Sequence, residues 1–578
     1  MISKSCISTG KLALILTLVV QWMLLASGNV VPAGTSEAPL SGLYDQNDKI
    51  ALLTVNNFND TVLRQNRGIL VEFYNTYCAR CQRYAPHYKA LAERLYPWRE
   101  TLLVAAIDCK ALKNTGVCRD YEISKYPNLH YFSPGYVYEE GKYGQSITAS
   151  TDLDEAASNM AQILAAETGT TNLPNFPNFQ SVSMDNVKKT LFCGLDSNKK
   201  YVILTYEPDN TTVGLESILQ FHLWPDVQVR RVTDLNVAKK FQIDGVRYKI
   251  ATVDRQGKVV PYSVNKYTAL EYFAKIQCFL KSQNFKPRSC EEKKTTKSTT
   301  LQASAHNDNS AIILEVLRKK HLVYQADLEM AIRQMLFNEI PKVNKIHGEQ
   351  LSALQNMLQV LQNYHPLGAK GDEVFRHLNK FVLNAKDKLS GANIQNELET
   401  LNKKHGSIFS SNNFVACVSS QQNKRGYTCS LWTLFHYLTI KAERLDICRE
   451  PLQVLRAIHG YVKFFFGCEE CSNHFQEMAE RRKIWHVSSK AEAALWLWEA
   501  HNEVNNRTAG DATEDPKFPK IQFPSESSCS QCHKAASWDK DAVLNFLKNM
   551  YNPDYVSRYG TDTDNKSGTI LRITSRNI

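Results

Sequence analysis

Nothing near the C-terminus of this 578-residue chain is apolar enough to span a bilayer, which takes about 20 residues; residues 556–578 form a polar tail. On this reading no C-terminal anchor is expected. A long basic run interleaved with aromatics is also lacking. The net charge is +11, but the lysines and arginines are spread along the chain, which reads as solvated surface and not as a nucleic-acid footprint. Global disorder is excluded as well, because 43% of residues are apolar and 22% charged, the balance of a globular protein. This length predicts about four domains.

The N-terminus carries Lys4 and Lys11, then the run Leu12 to Leu25, then Ala26-Ser27-Gly28. Charged, apolar and small-residue regions in that order predict a secretory signal peptide over residues 1–28. A signal anchor is the rival, but the run is interrupted by Gln21 and is short for a span. The mature chain is therefore expected without a membrane span, secreted or in the lumen of the secretory pathway (Golgi or extracellular). Fifteen cysteines suit that compartment, where disulfides persist. Sequons at Asn59, Asn210, Asn506 and Asn565 permit glycosylation.

Residues 38–165 alternate strand and helix signals. Gly68-Ile-Leu-Val-Glu-Phe-Tyr and Leu102-Leu-Val-Ala-Ala-Ile read as buried strands, Pro86 to Leu95 as helix, and Leu129 to Phe132 as a later strand. This pattern predicts an α/β sheet. Residues 175–285 repeat it more weakly around Tyr201-Val-Ile-Leu-Thr-Tyr and Tyr248-Lys-Ile-Ala-Thr-Val, with no CxxC after the first. Residues 286–310 form a polar linker. Residues 311–405 hold few glycines or prolines and read as helical, with Leu351, Leu354, Leu358 and Leu361 at core spacing. Residues 412–555 stay helical but become dense in Cys, His and Trp. The fold class is thus multidomain, two α/β domains followed by an all-α region.

Tyr77-Cys78-Ala79-Arg80-Cys81 ends a buried strand and opens a helix. Amides at a helix start favour the thiolate of the first cysteine, which is the nucleophile. A partner two residues on can resolve a mixed disulfide. A structural disulfide or half of a zinc site are the bland readings. The strand before the motif and Tyr126-Pro127 after it make redox work the better one. These residues resemble thioredoxin and protein disulfide isomerase domains. The resemblance implies a redox-active thioredoxin domain at 38–165, a redox-inactive thioredoxin-like domain at 175–285, and a cis Pro127 beside the dithiol. Members usually have Trp where Tyr77 stands and often Gly-His where Ala79-Arg80 stand.

Arg425-Gly426-Tyr427-Thr428-Cys429-Ser430-Leu431-Trp432 leads to His436, which shares a helical face with Trp432. A second CxxC, Cys468-Glu469-Glu470-Cys471, follows Phe464-Phe465-Phe466-Gly467, with His474 three residues on. Trp498-Glu499-Ala500-His501-Asn502-Glu503-Val504-Asn505 places His501 and Asn505 four apart. Each alone reads as core; together around a CxxC they offer stacking surfaces and donors for a large planar cofactor. This region is similar to the Erv/Alr sulfhydryl oxidases, which hold FAD in a helical bundle, and the chain as far as 555 resembles the quiescin sulfhydryl oxidases. The resemblance implies FAD contacts at Arg425, Trp432, His436, Glu470, His474, Trp498, His501, Asn502, Asn505, Lys520 and Phe523. Relatives commonly have Trp where Phe523 stands and often Asp where Glu470 stands. It also implies a relay from protein thiols through Cys78 and Cys81 to Cys468 and then Cys471 beside the flavin. Dioxygen is the final acceptor, giving hydrogen peroxide, and reduced secretory or extracellular proteins are the substrates.

Cys529-Ser530-Gln531-Cys532-His533 has the c-type haem attachment pattern, or could join Cys468 and Cys471 in a zinc site, but 57 residues intervene where ribbons have about 15 to 20. A structural disulfide, which the family has here, is the preferred reading, and no metal is expected. The family spacings pair Cys109 with Cys118 and Cys417 with Cys429; Cys193 with Cys278 would staple the second thioredoxin-like domain. Cys290 and Cys448 are left free, joined to each other, or paired elsewhere. Two rivals remain, an isomerase with a helical binding domain and a disulfide-stapled adhesion or chaperone protein. Both predict a colourless protein.

Overall fold

The computed structural model describes residues 42–167, 173–183, 191–192, 195–288, 309–319, 321–385, 389–445, 447–534 and 537–562. The expected signal peptide, most of the linker at 286–310 and most of the tail at 556–578 lie outside the described residues.

The first sheet has the order β1-β3-β2-β4-β5, built from Ala51–Leu53 (β1), Gly68–Tyr74 (β2), Leu102–Asp108 (β3), Asn128–Phe132 (β4) and Gln145–Ile147 (β5). β1, β3 and β2 run parallel and β4 is antiparallel to β2, with Val71 opposite Ala105 on one side and His130 on the other. β2 is buried along its whole length, which is why it reads as a continuous apolar run instead of an alternating one. Helix α1 (Ala79–Leu95) leaves its C-terminal end with Cys78 as N-cap. α2 (Leu153–Glu167) packs beside α1.

The second sheet, β7-β6-β8-β9, repeats this order without a β1 equivalent: Tyr201–Tyr206 (β6), Val227–Val232 (β7), Tyr248–Asp254 (β8) and Val259–Ser263 (β9). Where the first unit has its dithiol, this one has Glu207, whose carboxylate accepts the backbone amides of Gly214 and Leu215 at 2.7 and 2.8 Å at the start of α3 (Val213–Phe221). α4 (Ala269–Ser282) closes the unit. The expected Cys193–Cys278 staple is not formed. Cys278 lies on the outer face of α4, between the buried Ile276 and Phe279, and is an exposed free thiol; Cys193 lies outside the described residues. The two thioredoxin-like units are joined instead by a buried ion pair, Arg94–Glu216 at 2.9 Å, and by Thr212 Oγ1 donating to Ser158 Oγ at 2.8 Å.

The helical region comprises α5 (Ser310–Arg318), α6 (Gln325–Gln334), α7 (Gly348–Tyr364), α8 (Gly368–Asn384), α9 (Gly391–His405), α10 (Gly426–Arg444), α11 (Gln453–Phe464), α12 (Glu469–Arg481), α13 (Lys490–Thr508) and α14 (Lys540–Met550). The leucine stripe at 351, 354, 358 and 361 is buried, and one continuous core contains it together with Leu328, Tyr427, Leu497 and Val543. α6 contributes two carboxylates that organise the chain entering α10. Asp327 accepts the amides of Val415, Ala416 and Cys417, and Glu329 those of Ser410 and Ser411. Disulfides join Cys109–Cys118, Cys417–Cys429, Cys468–Cys471 and Cys529–Cys532. Cys448 is free, and Cys290 lies outside the described residues. No helix among the described residues is long and apolar enough to cross a membrane.

Candidate functional site

Two cysteine pairs lie near the junction of the first sheet unit and the helical region, where ion pairs link their flanking residues. Cys78 and Cys81 are thiols. The hydrogen bond from Cys81 pulls the Cys78 thiol below its ordinary range, while burial pushes Cys81 well up. The difference favours the thiolate at Cys78 over Cys81. The Tyr126–Pro127 peptide is cis, and the Tyr126 carbonyl lies 3.8 Å from Cys78 Sγ. Beneath the pair, Glu72 is fully buried in β2. Burial pushes its carboxyl up to about 8, so it carries a proton at neutral pH.

Cys468 caps α12 as Cys78 caps α1. Cys78 and Cys468 are 2% and 4% exposed and belong to one buried cluster with Tyr126, against which Phe466 packs. Ion pairs surround the contact: Lys125 meets Glu469 at 2.6 Å, Arg80 lies 3.8 Å from Glu469, and Arg83 pairs with Glu470.

Behind the second pair lies a cavity of about 550 Å³, within the range of cofactor sites. Cys471 lines it and Cys468 does not. All eleven residues named above as FAD contacts line it too. Its apolar end is a stack of rings: Trp432 lies on His501 with centroids 4.3 Å apart and planes 6° from parallel, and His436 stacks on His501 and on Tyr551. The two imidazoles share a proton contact of 3.0 Å. Burial holds both below the usual range, His501 at about 4, so both are neutral at physiological pH. At the other end are cations. Burial lowers Arg425 to about 10 and also lowers Lys520.

Several expected contact residues have a second task. Trp498 Nε1 and Asn502 Nδ2 donate to the Phe523 carbonyl, Asn502 Oδ1 accepts the Phe523 amide at 2.8 Å, and Asn505 donates to the Ile521 carbonyl at 3.0 Å. They clamp the segment carrying Lys520 and Phe523 against α13. Glu470 faces both His474, at 3.8 Å, and Arg83 of the first unit. Residues that sequence reading missed also line the cavity: Val316 and Leu317 of α5, His321, Tyr551, and Tyr77 and Gln82 of the first unit.

Residues 429–524 match the Erv1 / Alr family, residues 49–159 the thioredoxin family, and residues 319–420 the flavin adenine dinucleotide-dependent sulfhydryl oxidase family. The chain is 30% identical to sulfhydryl oxidase 1 of Homo sapiens over 536 residues, covering 90% of this chain and 69% of that one. It is 31% identical to sulfhydryl oxidase 1 of Cavia porcellus over 541 residues, covering 90% and 84%. The chain belongs to the quiescin sulfhydryl oxidase family. A solved sulfhydryl oxidase fragment of human QSOX1 is 35% identical, covers 42% of this chain and 99% of itself, and superposes with a TM-score of 0.39.

The third family match names FAD as the cofactor of this sulfhydryl oxidase domain, and the residues present fit such a group. The buried Arg425 Nε has no hydrogen-bond partner, a donor left over where an anionic linkage would lie. Neutral stacked rings suit an aromatic system, and the cationic end suits a pyrophosphate.

Proposed function

We propose that this oxidase takes two electrons from the thiols of a reduced protein in the secretory pathway or outside the cell, leaves a disulfide there, and passes the electrons through Cys78–Cys81 and Cys468–Cys471 to FAD held in the cavity. The reading rests on one observation: Cys78 and Cys468 are both buried and belong to the same apolar cluster, and Cys471, packed against that cluster, lines the cavity. The four disulfides among the described residues suit the oxidising compartment.

A substrate thiolate attacks the Cys78–Cys81 disulfide at Cys78, and Cys81 leaves and takes up a proton. A second substrate thiolate then displaces Cys78, so the substrate gains a disulfide and the pair becomes a dithiol. The Cys78 thiolate next attacks Cys468, freeing Cys471 as a thiolate at the cavity wall. Cys81 gives up its proton and displaces Cys468, so the first pair is oxidised again and two electrons rest on the second pair. Bound there, FAD supplies the two-electron chemistry that links a dithiol to dioxygen and yields hydrogen peroxide. Trp432, His436 and His501 would hold its ring system, and Arg425 and Lys520 its phosphates. Glu470, His474 and Phe523 would complete the wall, with Trp498, Asn502 and Asn505 holding Phe523 in place. Dry surroundings keep the imidazoles neutral, so they stack without adding charge.

Cys78 is 2% exposed here, so a protein cannot reach it in this arrangement. Loading and relay therefore alternate, and the first unit must leave the helical face to meet substrate. The purified full chain should be yellow with bound flavin. Cys78→Ser should lose turnover of a reduced protein and keep a slow activity on dithiothreitol, which reaches the second pair directly. A colourless protein, or a Cys78→Ser enzyme equally active on reduced protein, contradicts the reading.

A further inference from the structure

We propose that Gly467 and Glu469 form a socket that sets the pose in which the first thioredoxin unit hands over its electrons; the inference rests on the relay proposed above. A side-chain carbon on Gly467 would fall 2.5 Å from Cε2 of Tyr126 and 3.0 Å from its Cδ2. The Tyr126 ring therefore lies directly on the backbone one residue ahead of Cys468. Tyr126 is also the residue whose carbonyl meets Cys78. One contact thus joins the neighbours of the two sulfurs that must bond, and bonding requires those sulfurs to approach to about 2 Å.

The socket is backed by the helical region. Glu339 accepts the Gly467 amide at 3.1 Å and pairs with Lys342 at 3.1 Å; the Lys342 ammonium lies 5.0 Å from the Tyr126 ring centre. Both charges are buried. A second glycine repeats the device, since Gly426 leaves room for the Tyr77 ring, the residue before Cys78. Around these contacts Glu469 takes Lys125 and Arg80. Such exposed rim pairs add little affinity, but they orient an encounter. Charge guiding approach, with a close-fitting ring fixing the final pose, suits a face that must dock and release in every cycle.

The test uses the full chain with Cys81→Ser and Cys471→Ser, in which oxidised glutathione joins Cys78 to Cys468 and is itself reduced to two glutathiones. Adding Gly467→Ala overpacks the contact and should slow formation of the Cys78–Cys468 crosslink, read by mass spectrometry, by about ten- to a hundredfold. With all four cysteines restored, Gly467→Ala should slow flavin bleaching by a reduced protein to a similar degree. Direct bleaching by dithiothreitol, measured in the Cys78→Ser chain, should stay within about twofold. An unchanged crosslinking rate overturns the proposal. So does an equal loss in the dithiothreitol arm, which would place the defect in the second pair itself. Should Gly467→Ala fail to fold, Glu469→Lys carries the test: slower crosslinking that Lys125→Glu restores is expected, and an unchanged rate overturns the socket. A chain with native Gly467 and Glu469 that never forms the crosslink contradicts the relay instead.

Discussion

Glu72 is a carboxyl in the middle of a fully buried strand, and replacing it with glutamine should make the oxidase more stable at alkaline pH. Burial is the main reason its carboxyl rises from the ordinary 4.5 to about 8; the hydrogen bond from Tyr44 pulls the other way and the nearby Cys78 adds to the rise. A carboxyl raised in the folded state contributes stability that is fully present below about 4.5 and is lost as the pH climbs through about 8. A rise of that size corresponds to at most about 5 kcal/mol once the group is ionised. Relaxation and water entry will reduce the measured value to about 2–3 kcal/mol. Glu72→Gln keeps the shape and an acceptor for Tyr44 but cannot ionise. Urea unfolding of the oxidised enzyme, with the transition of the first thioredoxin unit followed at pH 4, 7 and 9, should show the variant gaining on wild type from about pH 4.5 upward, with most of the change already present at pH 7. The gain should total about 2–3 kcal/mol and level off above about pH 8, so that pH 9 shows its full size. A difference that does not change with pH would refute the reasoning, because it would mean that Glu72 ionises as readily in the fold as in the unfolded chain.

Cys468→Ser should leave Cys471 as a thiolate against the flavin and produce a long-wavelength charge-transfer band; finding the band in Cys471→Ser instead would reverse the two roles. Asp327→Ala should cost about 3 kcal/mol, because three amides, two of them buried, lose their acceptor at roughly 1–3 kcal/mol for each buried one while a buried carboxylate is removed. It should also lower the flavin content of the purified protein, since the loop it holds carries Ala416, the acceptor for Arg425; full flavin retention would show that Arg425 does not depend on that loop. Arg94→Ala should destabilise the chain by about 3–5 kcal/mol in urea unfolding, by stranding Glu216 between the two thioredoxin-like units, and a loss below about 1 kcal/mol, the worth of an exposed pair, would show that the pair is not dry.

Much of the candidate site was legible because it is carried by local spacing. Trp432 and His436 share one helical face, a CxxC opens each of α1 and α12, and His501 with Asn505 repeats the four-residue step. The alternation of strand and helix likewise announced the first sheet, since β2 and β3 are buried on both faces and read as apolar runs. What stayed hidden depends on contacts far apart in sequence. Asp327 meets the chain some ninety residues later, and nothing around it distinguishes it from a surface aspartate. Val316, Leu317 and His321 line the cavity only because the chain just after α5 reaches α14 and the 521–524 segment, where His321 lies 5.8 Å from Phe523 and from Phe546. Cys278 was misread because a helical cysteine gives no sign of which way it points, and here it shares the exposed face of α4 with Gln277 while Ile276 and Phe279 turn inward. The contacts between the first unit and the residues flanking Cys468 are likewise invisible in either motif, because they depend on a glycine and charges that look ordinary one at a time.

Direct transfer between the two pairs is the central claim, and trapping its intermediate tests it most directly. In the full chain with Cys81→Ser and Cys471→Ser, and with Cys290 and Cys448 replaced by serine, oxidation by glutathione disulfide followed by cleavage within residues 286–310 should leave the two halves joined on a non-reducing gel and separate on a reducing one. Peptide mapping should place the bond between Cys78 and Cys468. Halves that separate without reductant, or a bond that omits either cysteine, would contradict direct transfer and make Cys529–Cys532 the next intermediary to examine.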